Sequence, residues 1–71
     1  MSTIASKEYR AIIERLIKAR KDAGLTQVEV ADQLGKPQSF ISKVESRERR
    51  LDIIELKQLA KIYKVNVSDL I

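Results

Sequence analysis

Apolar residues near the start of the chain fall on one helical stripe. Tyr9, Ile12, Ile13, Leu16 and Ile17 stand at i, i+3, i+4, i+7 and i+8. Ser6 occupies an N-cap position and Gly24 supplies a left-handed stop, so a first helix is predicted from Lys7 to Ala23. Thr26 and Glu29 have the spacing of a capping box that opens a second helix. Its apolar positions are Val28, Val30, Ala31 and Leu34, and Gly35 ends it. Pro37 suits the first turn of a third helix, predicted over about Gln38 to Glu45, with Phe40, Ile41 and Val44 facing inward. Beyond the polar, basic connection Ser46-Arg47-Glu48-Arg49-Arg50, Asp52 and Glu55 repeat the capping-box spacing. The fourth helix carries Ile53, Leu56, Leu59, Ala60 and Tyr63 on one stripe. Asn66 and Asp69 give a further cap signal, opening a final turn that includes Leu70. There is no β alternation, repeat or low-complexity run. The pattern predicts a compact all-α domain of five short helices over 7–71. Residues 1–6 are expected to form a flexible tail, with Met1 to Ala5 frayed and Ser6 acting as the cap.

Composition narrows the chemistry. The 71 residues include no Cys and no His, so disulfide staples and the usual zinc frameworks are excluded, and neither a metal nor a cofactor is expected. Aromatics make up 4%, which leaves the core to aliphatic side chains. With no His, no Cys and no glycine-rich phosphate loop, the chain lacks the apparatus of an enzyme. Its Asp and Glu residues are accounted for by caps and ion pairs. A formal net charge of +4 favours a polyanionic partner, nucleic acid first and an acidic membrane second. No signal-like or membrane-length apolar run is present, so a cytoplasmic protein without a membrane role is expected. No feature points to a small-molecule ligand.

The stretch Gln27 to Glu45 carries the function. Ala31 is small enough for two helices to cross steeply, Gly35 tolerates positive φ in the turn between them, and Ile41 and Val44 seat the second helix in the core. Gln38, Ser39, Ser42, Lys43 and Ser46 are left on the opposite, polar side. Thr26-Gln27, Ala31, Gly35, Ile41 and Val44-Glu45, with Leu51-Asp52 and Leu59-Ala60 further on, resemble the lambda-repressor and Cro-like (XRE-type) helix-turn-helix regulators. The similarity runs from about Ile12 to Leu70.

That resemblance implies a lambda-repressor-like five-helix domain whose third helix lies in the major groove of double-stranded DNA. It also implies a small sequence-specific transcriptional regulator, a repressor in the first instance. By similarity Gln38, Ser39 and Lys43 touch base edges, with Ser42 as a lesser candidate. Gln can bridge adenine N6 and N7, and Lys can donate to guanine O6 and N7. Gln27 would grip a phosphate beside the backbone N–H groups of its helix start. Lys36, Arg49 and Arg50 are the basic candidates for the phosphate backbone. The departure is Arg47, which stands where the family often has Gly. A left-handed turn there costs a non-Gly residue roughly 1 kcal/mol. Either Arg47 offsets this by reaching a phosphate, or the loop takes another path, which would unsettle Arg49 and Arg50.

Arg20 sits on the apolar stripe of the first helix, and Glu45 follows Ile41 by four on the third. Two inward charges on different helices ask for each other, because an unpaired buried charge is very costly. The resemblance implies the same structural pair. Arg10, Arg15, Lys18 and Lys21 read as a solvated face. A rival reading is a protein-interaction adaptor with the same fold, which would favour apolar or acidic residues on the outer face of the third helix. An antitoxin would need a toxin-neutralising segment for which there is little room. Regulators of this kind usually pair on two-fold-symmetric sites, so a homodimer is expected. Ile54, Ile62, Val67 and Ile71 are candidates for its surface, unless Ile54 and Ile62 merely flank a broad core stripe.

Overall fold

The computed structural model describes residues 6–71, and the tail expected at Met1 to Ala5 lies outside them. Four α-helices follow in order, α1 (Lys7–Asp22), α2 (Gln27–Leu34), α3 (Gln38–Glu45) and α4 (Ile53–Tyr63), with a 3-10 turn at Val67–Asp69. The fifth helix expected from the pattern is thus a single 3-10 turn. Three residues are too few to close an α-helical ladder, and Asn66 caps nothing with its side chain.

Local chemistry sets the helix starts. Ser6 is extended, and its hydroxyl accepts from the Tyr9 N–H at 3.1 Å. Thr26 with Glu29 and Asp52 with Glu55 each form a reciprocal capping box. Pro37 is the N-cap of α3 rather than a residue of its first turn, and that cap has no side-chain hydrogen bond. Its carbonyl instead accepts from the Phe40 N–H at 2.9 Å.

All four helices end in a left-handed turn. A left-handed residue directly follows α2 and α4, at Gly35 and Lys64, and stands one residue further on after α1 and α3, at Gly24 and Arg47. In α3 the Arg47 N–H reaches the Val44 carbonyl at 3.1 Å and the Glu48 N–H reaches the Lys43 carbonyl at 2.9 Å. Two crossed bonds of this kind satisfy carbonyls that a helix end leaves open. The left-handed turn is therefore made at Arg47 without a glycine, with φ at +64°. Lys64 does the same after α4 at +59°, while α1 stops at Asp22, one residue earlier than expected.

The core gathers Tyr9, Ile13, Leu16 and Ala19 from α1, Val30 and Ala31 from α2, and Phe40, Ile41 and Val44 from α3. Leu56, Leu59, Ala60 and Tyr63 from α4, with Leu70, close it. Two expected core positions are exposed instead. Val28 lies on the far side of α2 from Val30 and Leu34, as a period of 3.6 requires, and is 49% exposed. Ile53 sits in the first turn of α4 at the edge of its stripe, beside a shallow cleft lined by Tyr9, Ile12 and Leu56, and is 63% exposed. Tyr9 also anchors a loop, because its hydroxyl accepts the Leu51 N–H at 3.0 Å. Arg15, read as solvated, donates to the Leu70 carbonyl at 3.3 Å and ties the last turn to α1.

The four left-handed positions give a paired test. A Cβ at Gly35 would meet nothing within 4 Å, so the cost of Gly35→Ala is backbone strain less the unfolded-state entropy that the glycine gives up, about 0.5–1 kcal/mol. Lys64→Gly should move the other way, raising stability by about 0.5–1 kcal/mol after the glycine's unfolded-state entropy is subtracted. Urea denaturation of both variants checks the signs.

Candidate nucleic-acid interface

The Thr26 box starts α2, the left-handed Gly35 turns the chain, and α3 is laid across α1 and α2. Its inner side, Phe40, Ile41 and Val44, is buried. A helix that buries these three must present Gln38, Ser39, Ser42 and Lys43 on the opposite side. Gln38, Ser39 and Lys43 are exposed, and Ser42 is half-buried. The protein thus carries a short, polar, outward helix face backed by the core.

What holds that face in place is mainly polar. Arg20 donates from Nε to Glu45 Oε2 at 2.7 Å and from Nη2 to Oε1 at 3.1 Å. Its Nη1 donates to the Leu25 carbonyl at 2.9 Å, so one guanidinium joins α1, the α1–α2 turn and α3. The two side chains are only 12% and 10% exposed. The hydrogen bond to Glu45 raises the Arg20 pKa above its ordinary value, against the opposing effect of burial. Burial pushes the neighbouring Tyr63 phenol far up, with the Glu45 carboxylate adding and Arg20 opposing. Tyr63 therefore stays a neutral phenol throughout the physiological range.

Gln27 joins this cluster. Its Nε2 donates to Glu45 Oε1 at 2.9 Å, and its Oε1 accepts from Gln38 Nε2 at 3.3 Å. Gln27 and Gln38, assigned separately to phosphate and base, are thus brought together at one end of the face.

The basic residues around the face divide into two groups. Arg49 forms a two-pronged pair with Glu55, at 3.0 and 3.1 Å, and donates to the Arg50 carbonyl at 2.8 Å. It also stacks over Phe40, 4.4 Å from the ring centroid, while the Lys36 ammonium stands 5.6 Å from the same ring. Lys43, Arg47 and Arg50 take part in no side-chain ion pair among the described residues. Ser46 is tied locally, donating to Glu48 at 2.6 Å. Sequence reasoning missed the Arg49–Glu55–Phe40 cluster. Glu55 already had a role in its capping box, and nothing in the spacing shows that its carboxylate serves both. Ile54 and Ile71 are exposed, whereas Ile62 and Val67 pack partly against the core.

Among the described residues no group of His, Cys, Asp or Glu could hold a metal, and no helix is long and apolar enough to cross a membrane. Two helices joined by a tight left-handed turn, the second turned outward with a polar face, define a helix-turn-helix unit. A model of the helix-turn-helix family matches residues 16–70. The XRE-family like protein from Pseudomonas syringae pv. tomato str. DC3000 has a similar structure, with a TM-score of 0.84 and 44% identity over 89% of this chain and 77% of that one. No curated protein matches the chain. The chain belongs to the XRE-type helix-turn-helix family of DNA-binding transcription regulators.

A double-mutant cycle tests the clamp. Glu45→Ala and Arg20→Ala should each destabilise the fold by roughly 3–5 kcal/mol, because each strands the other charge. The double variant should lose clearly less than the sum in thermal denaturation. Additive losses would mean that the two side chains are not coupled.

Proposed function

We propose that the protein reads a specific operator in double-stranded DNA by laying α3 in the major groove. The observation that carries this reading is the split of α3 into a buried apolar side and an exposed side of Gln38, Ser39 and Lys43. Such a face offers hydrogen-bond donors and acceptors to base edges, and an adaptor surface would instead be apolar or acidic. Gln38 pairs with adenine, Lys43 with guanine, and Ser39 with either base, while half-buried Ser42 makes a lesser contact. Gln27, Lys36, Arg47 and Arg50 hold the flanking phosphates and set the register. Arg49 orders the loop that carries Arg50, and its side chain, still 41% exposed, keeps donors for a phosphate as well. The left-handed turn at Arg47 supports the reading in which Arg49 and Arg50 face the phosphate backbone.

One small domain reads only a few base pairs, so the operator is read by a homodimer with half-sites about 10 base pairs apart. Exposed Ile54 and Ile71, with the partly buried Ile62 and Val67, are the apolar residues available for pairing. Repression by occupancy follows most simply, since bound DNA is denied to other proteins. The protein acts where the DNA is, in the cytoplasm, and as a binder rather than an enzyme.

Selection of bound sequences from random duplexes gives the operator, and sedimentation on that duplex should show two chains bound. On the selected site, Lys43→Ala and Gln38→Ala should weaken binding by about 1–3 kcal/mol each and relax one or two base preferences. Arg50→Ala should weaken all sequences about equally and lower the salt dependence by about one phosphate. An unchanged base preference in Lys43→Ala would show that another surface reads the DNA.

A further inference from the structure

The exposed side of α4 carries charge that neither the fold nor the α3 face uses. Lys57, Lys61 and Lys64 stand at i, i+4 and i+7, are exposed, and take part in no ion pair among the described residues. A helix C-terminus favours cations, which accounts for Lys61 and Lys64 but not for Lys57 two turns earlier. Lys64 also holds a left-handed backbone that glycine adopts more easily, with φ at +59° and its N–H on the Lys61 carbonyl at 3.2 Å. A strained position occupied by a lysine points to a use for that side chain.

Beside the lysines lies a groove between α2 and α4. Two adjoining hollows of about 450 and 430 Å³ share Gln33, Ile62 and Lys64. Leu25, Leu34 and Ile62, each partly exposed, line it with apolar surface. The charged side chains that line it are lysines, with no acidic residue among them. No lining residue belongs to α3 or to the residues assigned to DNA, and α4 packs against α1 and α2 rather than α3. Pairing of two chains through exposed Ile54 and Ile71 does not need it either.

We propose that this groove docks an acidic amphipathic helix of a partner protein. An apolar stripe on that helix covers Leu34 and Ile62, and carboxylates beside the stripe meet Lys57, Lys61 and Lys64. Glutamates at i, i+4 and i+7 of the partner repeat the spacing of the three lysines, which spans about 10 Å of α4. Helix-in-groove docking supplies affinity through the apolar stripe, and charge complementarity selects the partner. A nucleic acid would meet the lysines and leave the apolar lining uncovered. The groove is separate from α3, so the partner can be held while α3 is occupied. The inference does not depend on α3 reading DNA.

The probe is a synthetic helical peptide with leucines on one stripe and glutamates flanking it, compared with a twin that has lysines in place of the glutamates. In titrations of the isotope-labelled full chain, the acidic peptide should move amide resonances at Gln33, Leu34 and from Gln58 to Lys64. It should bind about tenfold or more tightly than the twin. Lys57→Glu with Lys61→Glu should reverse that order at an unchanged melting temperature. Lys61→Glu with Lys64→Glu should reverse it too, so the result does not rest on one pair of substitutions. Arg10→Glu with Lys21→Glu makes the same change of net charge on α1 and should leave the order as in the wild type. No binding of the acidic peptide, equal binding of the twin, changes confined to Gln38 to Lys43, or a reversal by the α1 variant as well would each overturn the proposal. So would displacement of the peptide by the selected duplex. Altered sedimentation of the α4 variants without peptide would make a second copy of this chain the occupant, and would equally overturn it.

Discussion

The Arg20 guanidinium holds the structure at its most demanding point. A helix of eight residues such as α3 is far too short to be stable alone and depends on what it packs against. Its buried side is apolar and can slide. The two-pronged pair between Arg20 and Glu45 has a fixed geometry, and the third arm of the guanidinium reaches the Leu25 carbonyl between α1 and α2. Arg suits this position because its planar fork matches a carboxylate bidentately and spares a further donor. A charged pair this far from solvent adds little net stability, but either half alone is strongly unfavourable. Its consequence is register: only one placement of α3 satisfies all three arms.

The exit of α3 is held by different means. Arg47 accepts a left-handed backbone that glycine would adopt more cheaply, and the crossed bonds to Val44 and Lys43 make that conformation part of the helix end. Arg49 then ties the loop to α4 through Glu55 and to α3 through the Phe40 ring. Tyr9 takes the Leu51 N–H and fixes the far end of the same loop to α1. The surface that carries Lys43, Arg47 and Arg50 is thereby ordered by the chain's own contacts, and on the proposed reading such a preformed surface has less freedom to lose on binding DNA.

Much of this was legible from residue types and spacing. The capping boxes at Thr26 and Asp52, the stops at Gly24 and Gly35, and the extent of α3 rest on local chemistry, which a sequence displays directly. The inward placement of Arg20 and Glu45 was legible too, because charges on an apolar stripe stand out. Val28 is apolar but stands off the stripe of Val30 and Leu34, while the exposure of Ile53, which lies on its stripe, depends on which neighbours cover a first helical turn. The left-handed Lys64 carries no residue-type signal at all. Arg49 was visible as a charge, but its partner was hidden by the second role of Glu55. Local rules are written in the chain, while the sharing of one side chain between two partners is decided by tertiary placement.

On the proposed reading, the clamped α3 is the surface that meets DNA. The most direct measurement is the change in backbone amide resonances as the isotope-labelled protein is titrated with its selected duplex. The largest changes should fall at Gln27, across Gln38 to Lys43 and through Arg47 to Arg50, with the Arg20–Glu45 contact preserved in the complex. Large changes confined to the outer surface of α4, with the amides from Gln38 to Lys43 unmoved, would contradict it.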